Sequence, residues 1–291
     1  MSMSTNSPAV EITIRPNQGW FNIDWKGIHE YRDLLVLLVR RDFVSKYQQT
    51  ILGPLWFIIN PVVTTVVFTL VFGKVVGVST DGMDPTLFYM SGLVAWTYFS
   101  GLLGATSATF TGNAHLFGKV YFPRLIVPLA TAASHLFTLG IQLFTFVLMY
   151  VSYKYSGSAK GLSPNGMLVL MPLFIVHMAL LALGVGMILS AWTAKYRDFH
   201  HLSGFLVQLW MYATPIIYPL SALNKKLPIG WEWLGALNPM TVIVEGFRVS
   251  TMGKGTFTYE SYAISFGISL VTFFIGLMMF QRAARTFVDT V

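Results

Sequence analysis

The chain has 291 residues, a net charge of +7 and no cysteine, with 54% of its residues hydrophobic and 11% charged. Soluble domains average about 25% charged, so a single soluble core would leave much of this apolar surface uncovered, and lipid is the solvent that fits. The basic residues sit in short clusters between apolar runs, which excludes a nucleic-acid patch, and the missing cysteines exclude a disulfide framework, a thiolate metal site and palmitoylation.

Residues 1–33 carry no apolar core of signal-peptide type, so cleavage is not expected, and residues 1–25 are expected to be an extension. Residues 26–53 are predicted as an amphipathic helix on the membrane surface. Tyr31, Leu34, Leu35 and Leu38 share one face at helical spacing and Asp33 and Arg40 lie opposite, while Arg41 and Asp42 interrupt the pattern. Gly53-Pro54 ends this segment, and residues 54–291 form the membrane domain. A span needs roughly 20 apolar residues. Five runs qualify, at about 55–72, 87–111, 125–150, 167–192 and 262–280. A sixth, 201–220, starts polar and carries Pro215 and Pro219, which a membrane helix tolerates where neighbours satisfy the freed carbonyls.

Six spans place both termini on one side. With that side cytoplasmic, 12 of the 19 basic residues lie inside. The connection at 221–261 is too polar to span and too apolar for a free loop: Trp231, Trp233, Leu234 and Leu237 precede Asn238-Pro239, and Met240, Val242, Ile243, Val244 and Phe247 follow. Two short re-entrant helices hinged at Asn238-Pro239 fit this pattern, and two interfacial helices lying flat are the alternative. The fold class is therefore all-α integral membrane, with six transmembrane helices, an N-terminal amphipathic helix and re-entrant helices between spans five and six.

No nucleophile elbow, zinc-protease helix or phosphate loop is present, and neither catalytic residues nor a metal site are expected. His135 and His177 fall inside spans and read as packing residues hydrogen-bonded across helices; His200-His201 has only Asp198 nearby and makes no convincing metal site. The spans hold no clear Asp or Glu of the kind that ion-coupled transport uses, so uphill movement would draw on an ATPase carried by another chain. Three segments offer docking surfaces for such a partner: the Tyr31 face, residues 113–119 with Asn113, His115 and Lys119, and residues 195–198 with Arg197 and Asp198. Arg197 and Asp198 equally suit a simple helix cap.

Trp96 and Tyr98 in the second run, and Gln208, Trp210, Tyr212 and Tyr218 in the 201–220 run, are polar-tipped groups that face lipid poorly. A conduit of aromatic faces and sparse hydrogen-bonding groups would suit sugars; helix packing or an interfacial belt is the alternative for each. Gly104, Ala108 and Gly112 recur every fourth position, and Gly184 and Gly186 loosen the fourth run; such spacing permits close helix approach.

A set of segments then recurs in order: Arg41-Asp42 through Leu55-Trp56, Lys119-Val120-Tyr121-Phe122-Pro123-Arg124, Pro128-Leu129-Ala130, Tyr196-Arg197-Asp198, Gln208-Leu209-Trp210, residues 214–219, Leu237-Asn238-Pro239-Met240 and Glu245-Gly246-Phe247-Arg248. Together they resemble the membrane subunit of type-2 ATP-binding-cassette exporters, in the branch that exports O-antigen, capsule or teichoic acid, over nearly the whole chain from Tyr31. Ala284 and Phe287-Val288-Asp289 depart from the usual tail.

The resemblance implies a homodimer in the bacterial inner membrane, both termini cytoplasmic, with two copies of a separate ATPase that carries the ATP and magnesium; this chain itself needs no cofactor. It implies that Tyr31, Asn113, His115, Lys119, Arg197 and Asp198 couple to the ATPase, and that Asn238, Pro239, Glu245 and Arg248 form an outer gate. The cargo would be a glycan or polyol-phosphate polymer on undecaprenyl diphosphate. Arg40, Arg41 and Lys46 would meet that diphosphate at the entrance or serve only as positive-inside anchors. A drug or lipid exporter of the same fold is the alternative function, and a membrane glycosyltransferase or acyltransferase is a rival that lacks its usual cluster of acids or histidines.

Overall fold

The computed structural model describes residues 25–45, 48, 50–120, 122–157, 162–196, 198–226, 228, 231 and 233–286. Among these residues all regular structure is helical. The helices are α1 (Trp25–Glu30), α2 (Arg32–Ser45), α3 (Trp56–Phe68), α4 (Pro85–Ser107), α5 (Thr109–Gly112), α6 (Ala114–Phe117), α7 (Ile126–Tyr155), α8 (Met171–Thr193), α9 (Phe199–Ala213), α10 (Leu220–Asn224), α11 (Leu234–Leu237), α12 (Pro239–Met252) and α13 (Tyr259–Thr286). A 3₁₀ turn at Gly53–Leu55 leads into α3 and a π-helical turn at Thr69–Val75 extends it; another 3₁₀ turn, Gly166–Leu170, leads into α8.

Five helical stretches are long and apolar enough to cross a bilayer: Gly53–Val75, Pro85–Ser107, Ile126–Tyr155, Gly166–Thr193 and Tyr259–Thr286. They coincide with the five strong runs, with shifted ends. The second span begins earlier than expected because Asp84 caps α4, its Oδ1 accepting from the Thr86 and Leu87 amides at 2.9 and 3.4 Å. It ends at Ser107, and Thr109–Gly112 forms a separate turn. The sixth run is corrected: no helix covers 201–220. α9 stops at Ala213, because Pro215 offers no amide and the residue before a proline is driven out of helical geometry. Thr214 is accordingly extended, and α10 begins only after Pro219.

The N-terminal element is shorter than its predicted 26–53. Its last helical residue among those described is Ser45, and Thr50 to Leu52 are not helical. Hydrogen bonding runs through Tyr31 from α1 into α2, from the Tyr31 amide to Gly27 and from the Leu35 amide to Tyr31. The Tyr31 face, expected as a docking or membrane surface, packs on this chain instead: Leu38 is buried, Tyr31, Leu34 and Leu35 are partly so, and α2 lies on α7.

α4 is the hub, packed against α3, α7, α8, α9 and α12. Two of the predicted glycines bring helices together. Any Cβ on Gly276 of α13 would collide with the Gly184 carbonyl of α8, and one on Gly186 would sit 2.7 Å from Thr106 of α4. These glycines permit close approach instead of loosening the helix. A Cβ added at Gly104 or Gly112 would meet nothing within 4 Å, so that stripe joins no helices within the described chain. His177 is buried and bonded across helices to Ser269 Oγ at 2.8 Å, and His135 bonds the Thr131 carbonyl of its own helix at 2.9 Å.

Candidate outer gate and docking end

The break after α9 leaves polar backbone without helical partners inside an apolar protein. Two side chains from α12 and its cap supply them. Asn238 caps α12, its Oδ1 accepting from the Met240 amide at 3.2 Å. The same Oδ1 accepts the Trp210 indole N–H at 2.9 Å, and Asn238 Nδ2 donates to the Ala213 carbonyl and Thr214 Oγ1, each at 3.1 Å. One amide thus ties the end of α9 to the start of α12.

Arg248, three turns further along α12, holds the residues that follow. Its Nη1 donates to the Pro215 carbonyl at 2.6 Å and to Glu245 Oε1 at 2.9 Å, Nη2 donates to the Ile216 carbonyl at 3.2 Å, and Nε reaches Ser91 Oγ of α4 at 3.4 Å. The guanidinium lies 3.7 Å from the centre of the Phe88 ring, a cation–π contact. Arg248 is 0% exposed and Glu245 2%. Burial pushes the guanidinium down from its ordinary value, and the Glu245 carboxylate pulls it back. Glu245 Oε2 accepts the Thr256 amide at 2.8 Å, so both oxygens are used. Gly255 sits at φ +141, and a Cβ there would lie 2.9 Å from that oxygen, so the turn requires glycine. Gly92 makes room on α4, where a Cβ would lie 3.1 Å from Arg248 Nη2 and 3.2 Å from Ile216.

The hinged pair is unequal. α11 is four residues long, with Trp233 and Leu237 exposed, while α12 is fourteen and almost wholly buried against α4, α8 and α13. Outside it, Ser221 Oγ donates to Asp81 at 2.5 Å and Lys254 Nζ to the Gly82 carbonyl at 3.0 Å, which ties the α3–α4 loop to α10 and to the turn after α12.

At the opposite end two of the predicted docking segments meet. Arg41 pairs with Asp42 at 2.9 Å and also donates to Asn113 Oδ1 at 3.2 Å, so α2 is bonded to the α5–α6 loop. Asn113 in turn donates to the Thr109 carbonyl. That loop is rooted by aromatic contacts, Phe110 stacked on Phe280 at 4.7 Å and Phe117 tilted against Phe122 at 5.6 Å, and this leaves His115 and Lys119 exposed. Thr193 Oγ1 donates to the Ser107 carbonyl at 3.0 Å, which places the end of α8 beside the end of α4. Asp198 is exposed at the start of α9 and makes no side-chain cap. Arg40 is exposed; Lys46 and Arg197 lie outside the described residues.

The aromatic candidates do not gather on one surface of this chain. Trp96 and Tyr98 are sealed inside around α4, and the Tyr98 hydroxyl has no partner among the described residues. Trp210 is half-buried, edge-on to Phe99 at 5.0 Å. Gln208 and Tyr212 face outward, and the Tyr218 hydroxyl donates to the Tyr212 carbonyl at 3.1 Å. The sequence reading missed Phe88, Ser91, Gly92 and Thr256 as parts of the Arg248 site. Its signal was the two prolines, whose neighbouring carbonyls had to find donors.

The comparisons with known proteins cover this whole arrangement. The chain is 26% identical over 266 residues to the O-antigen export system permease protein RfbA of Myxococcus xanthus, covering 91% of this chain and 98% of that one. It is 25% identical over 258 residues to RfbA of Klebsiella pneumoniae, with 88% and 94% covered. It is 23% identical over 248 residues to the polysialic acid transport protein KpsM of Escherichia coli, with 84% and 91% covered. The ABC-2 type transporter family matches residues 33–252, from the start of α2 through the end of α12, and the chain belongs to that family.

Proposed function

We propose that this chain is the membrane subunit of an ATP-driven exporter that carries undecaprenyl-diphosphate-linked polysaccharide, O-antigen-like, from the cytoplasm across the inner membrane. The observation that carries this reading is the near end-to-end similarity to permeases named for O-antigen export. The family brings a separate ATPase subunit with it. In this reading two copies of the chain pair, both termini are cytoplasmic, and α9 serves as the remaining membrane-crossing element.

The geometry supports a division of labour. The Arg41–Asn113 bond makes α2 and the α5–α6 loop one docking unit for the ATPase, with His115 and Lys119 presented to it. α4 starts near Arg248 and ends at the docking end, about 34 Å away for 23 residues. A shift imposed on the docking end would reach the Arg248 clamp through this helix and free the segment 214–219 to move. Arg41 is engaged by Asp42 and Asn113, so Arg40 is the better candidate to meet a lipid diphosphate.

The test is the location of lipid-linked glycan in cells depleted of the protein, read by surface labelling and by mass spectrometry of the undecaprenyl-linked pool. Long glycan accumulating inside and lost from the surface supports the reading, and the spectrum identifies the cargo. Unchanged surface glycan without build-up of lipid-linked polymer refutes it and leaves the small-molecule exporter of the same fold.

A further inference from the structure

Thr80, Asp81, Gly82 and Met83 form a tight turn in the α3–α4 loop. The Met83 amide donates to the Thr80 carbonyl at 3.0 Å, and Thr80 Oγ1 donates to the Met83 carbonyl at 2.6 Å. Asp81 and Gly82 sit at φ 52 and 71, so both central residues are left-handed, as in the type I′ turn that Asp-Gly pairs favour. Thr80 and Met83 are buried, and Asp84 caps α4 directly after them. The turn is therefore stiff and joined to the hub helix.

Its two tip residues hold two feet of the candidate gate. Asp81 accepts from Ser221 Oγ of α10 at 2.5 Å, and the Gly82 carbonyl accepts from Lys254 Nζ, just past α12, at 3.0 Å. The hinged pair α11 and α12 lies between these feet. The feet differ in what else anchors them. Lys254 follows α12, which is buried against three helices, and beside it the Ser163 and Asn165 amides bond the Met252 and Ser250 carbonyls at 3.3 and 3.2 Å. α10 is five residues long and, Leu220 apart, only half-buried. It continues the segment whose Pro215 and Ile216 carbonyls Arg248 holds. Leu220 lies against Gly235 of α11, where a Cβ would sit 3.2 Å from Leu220 Cδ1, so α10 and α11 are packed together. The Asp81 carboxylate also favours the charged form of Arg248, which places the turn close to the clamp. The Ser221–Asp81 bond itself is open to solvent, and water replaces such a bond at small net cost. That suits a contact made and broken in a cycle, whereas the Lys254 foot stands on a buried helix.

We propose that the Thr80–Met83 turn is an outer latch: Asp81 holds α10 shut through Ser221, and this bond opens with the gate while the Lys254 foot stays in place. The inference rests on the export reading above for the existence of a gate, and adds the contact that regulates it. The segment 214–219 is then held twice, by Arg248 from within and through α10 by Asp81 from outside.

The test uses the full-length protein with its ATPase subunit in phospholipid vesicles. Spin labels at Val76→Cys and Lys225→Cys report the releasing foot, and labels at Val76→Cys and Tyr259→Cys the fixed one. All three positions are exposed, and the chain has no cysteine of its own. The 76–225 distance should lengthen between the nucleotide-free and ATP-trapped complexes, and the 76–259 distance should not. Asp81→Ala should raise the lengthened fraction without nucleotide about fivefold, and Asp81→Asn, which keeps an acceptor, should raise it less. In cells, Asp81→Cys with Ser221→Cys joined by a short bis-methanethiosulfonate should block export, and reductant should restore it. Each single variant given the same reagent should export. An unchanged 76–225 distance, equal changes in both distances, or export by protein whose bridge is confirmed by mass spectrometry would each overturn the proposal. The label pairs keep Asp81 and Ser221 intact, so they decide the matter even if the other variants fail to fold. The distances involve no cargo, so the two readings fail separately: a latch that opens while depletion leaves surface glycan unchanged sinks the cargo reading alone, and an export defect with a latch that stays shut sinks the latch alone.

Discussion

The first two membrane-length segments make an instructive pair. Gly53–Val75 and Pro85–Ser107 are each 23 residues long, and the first is the more apolar. Yet within the apolar 18-residue stretch of each, 11% of the first is buried and 78% of the second. In water the ranking would be the reverse. In lipid, apolarity gives no reason to leave the solvent, and burial goes to helices with small and polar groups that pack and bond. α4 offers Gly92, Ser91, Thr106 and Ser107 to its neighbours, while α3 turns Val63, Val66 and Val67 outward, as the turn that extends it does Leu70.

The sharpest way to break that comparison is at the α4–α12 contact. Arg248→Ala strands Glu245 and two carbonyls in the interior, and should cost about 3–5 kcal/mol, read as a fall in melting temperature of the purified protein. The double variant Arg248→Met, Glu245→Gln should recover part of the loss and no more, because Pro215 and Ile216 stay without donors. Full recovery would mean the clamp merely pairs its own charges.

A glycine contrast comes next. Gly276→Ala forces α13 off the Gly184 carbonyl and should cost about 1–3 kcal/mol. Gly104→Ala meets open space and should change stability by less than about 0.5 kcal/mol. Equal losses would show that Gly104 is covered by another subunit.

Asn238→Ala removes a helix cap and the tie to α9 together, and should cost about 1–3 kcal/mol. Trp210→Phe should cost less, since it removes one of those bonds. At the docking end Arg41→Gln breaks an exposed pair and should alter stability by under about 1 kcal/mol. Its effect should appear instead as lower stimulation of the partner ATPase at unchanged protein level. The smallest change is expected on the outward side of α3, where Val67→Ala should stay within about 0.5 kcal/mol. A marked loss there, or dissociation on a sizing column, would mean protein covers that face.

Asn238, Glu245 and Arg248 were legible as polar residues in an apolar stretch, and only the resemblance gave them a gate role. Their partners were not legible, since Arg248 meets Pro215 and Ser91, 33 and 157 positions away. Tyr31, Asn113, His115 and Lys119 were legible as surface positions, but the Arg41–Asn113 bond that unites two of the segments was not. The aromatic candidates were the weakest part. Trp96 and Gln208 look alike as polar-tipped residues in apolar runs, and one is sealed inside while the other faces out.

By itself the sequence determined the number and order of the strong spans and the family; the prolines at 215 and 219 were in view, but the break they cause was not expected. Bilayer thickness and proline geometry act locally and leave their mark in length and residue type. Only the tertiary structure decided which span became the hub, which glycines touch and where Arg248 spends its donors. Those depend on the rotation of each helix about its axis and on crossings between distant segments, and an evenly apolar helix carries no stripe to set that rotation.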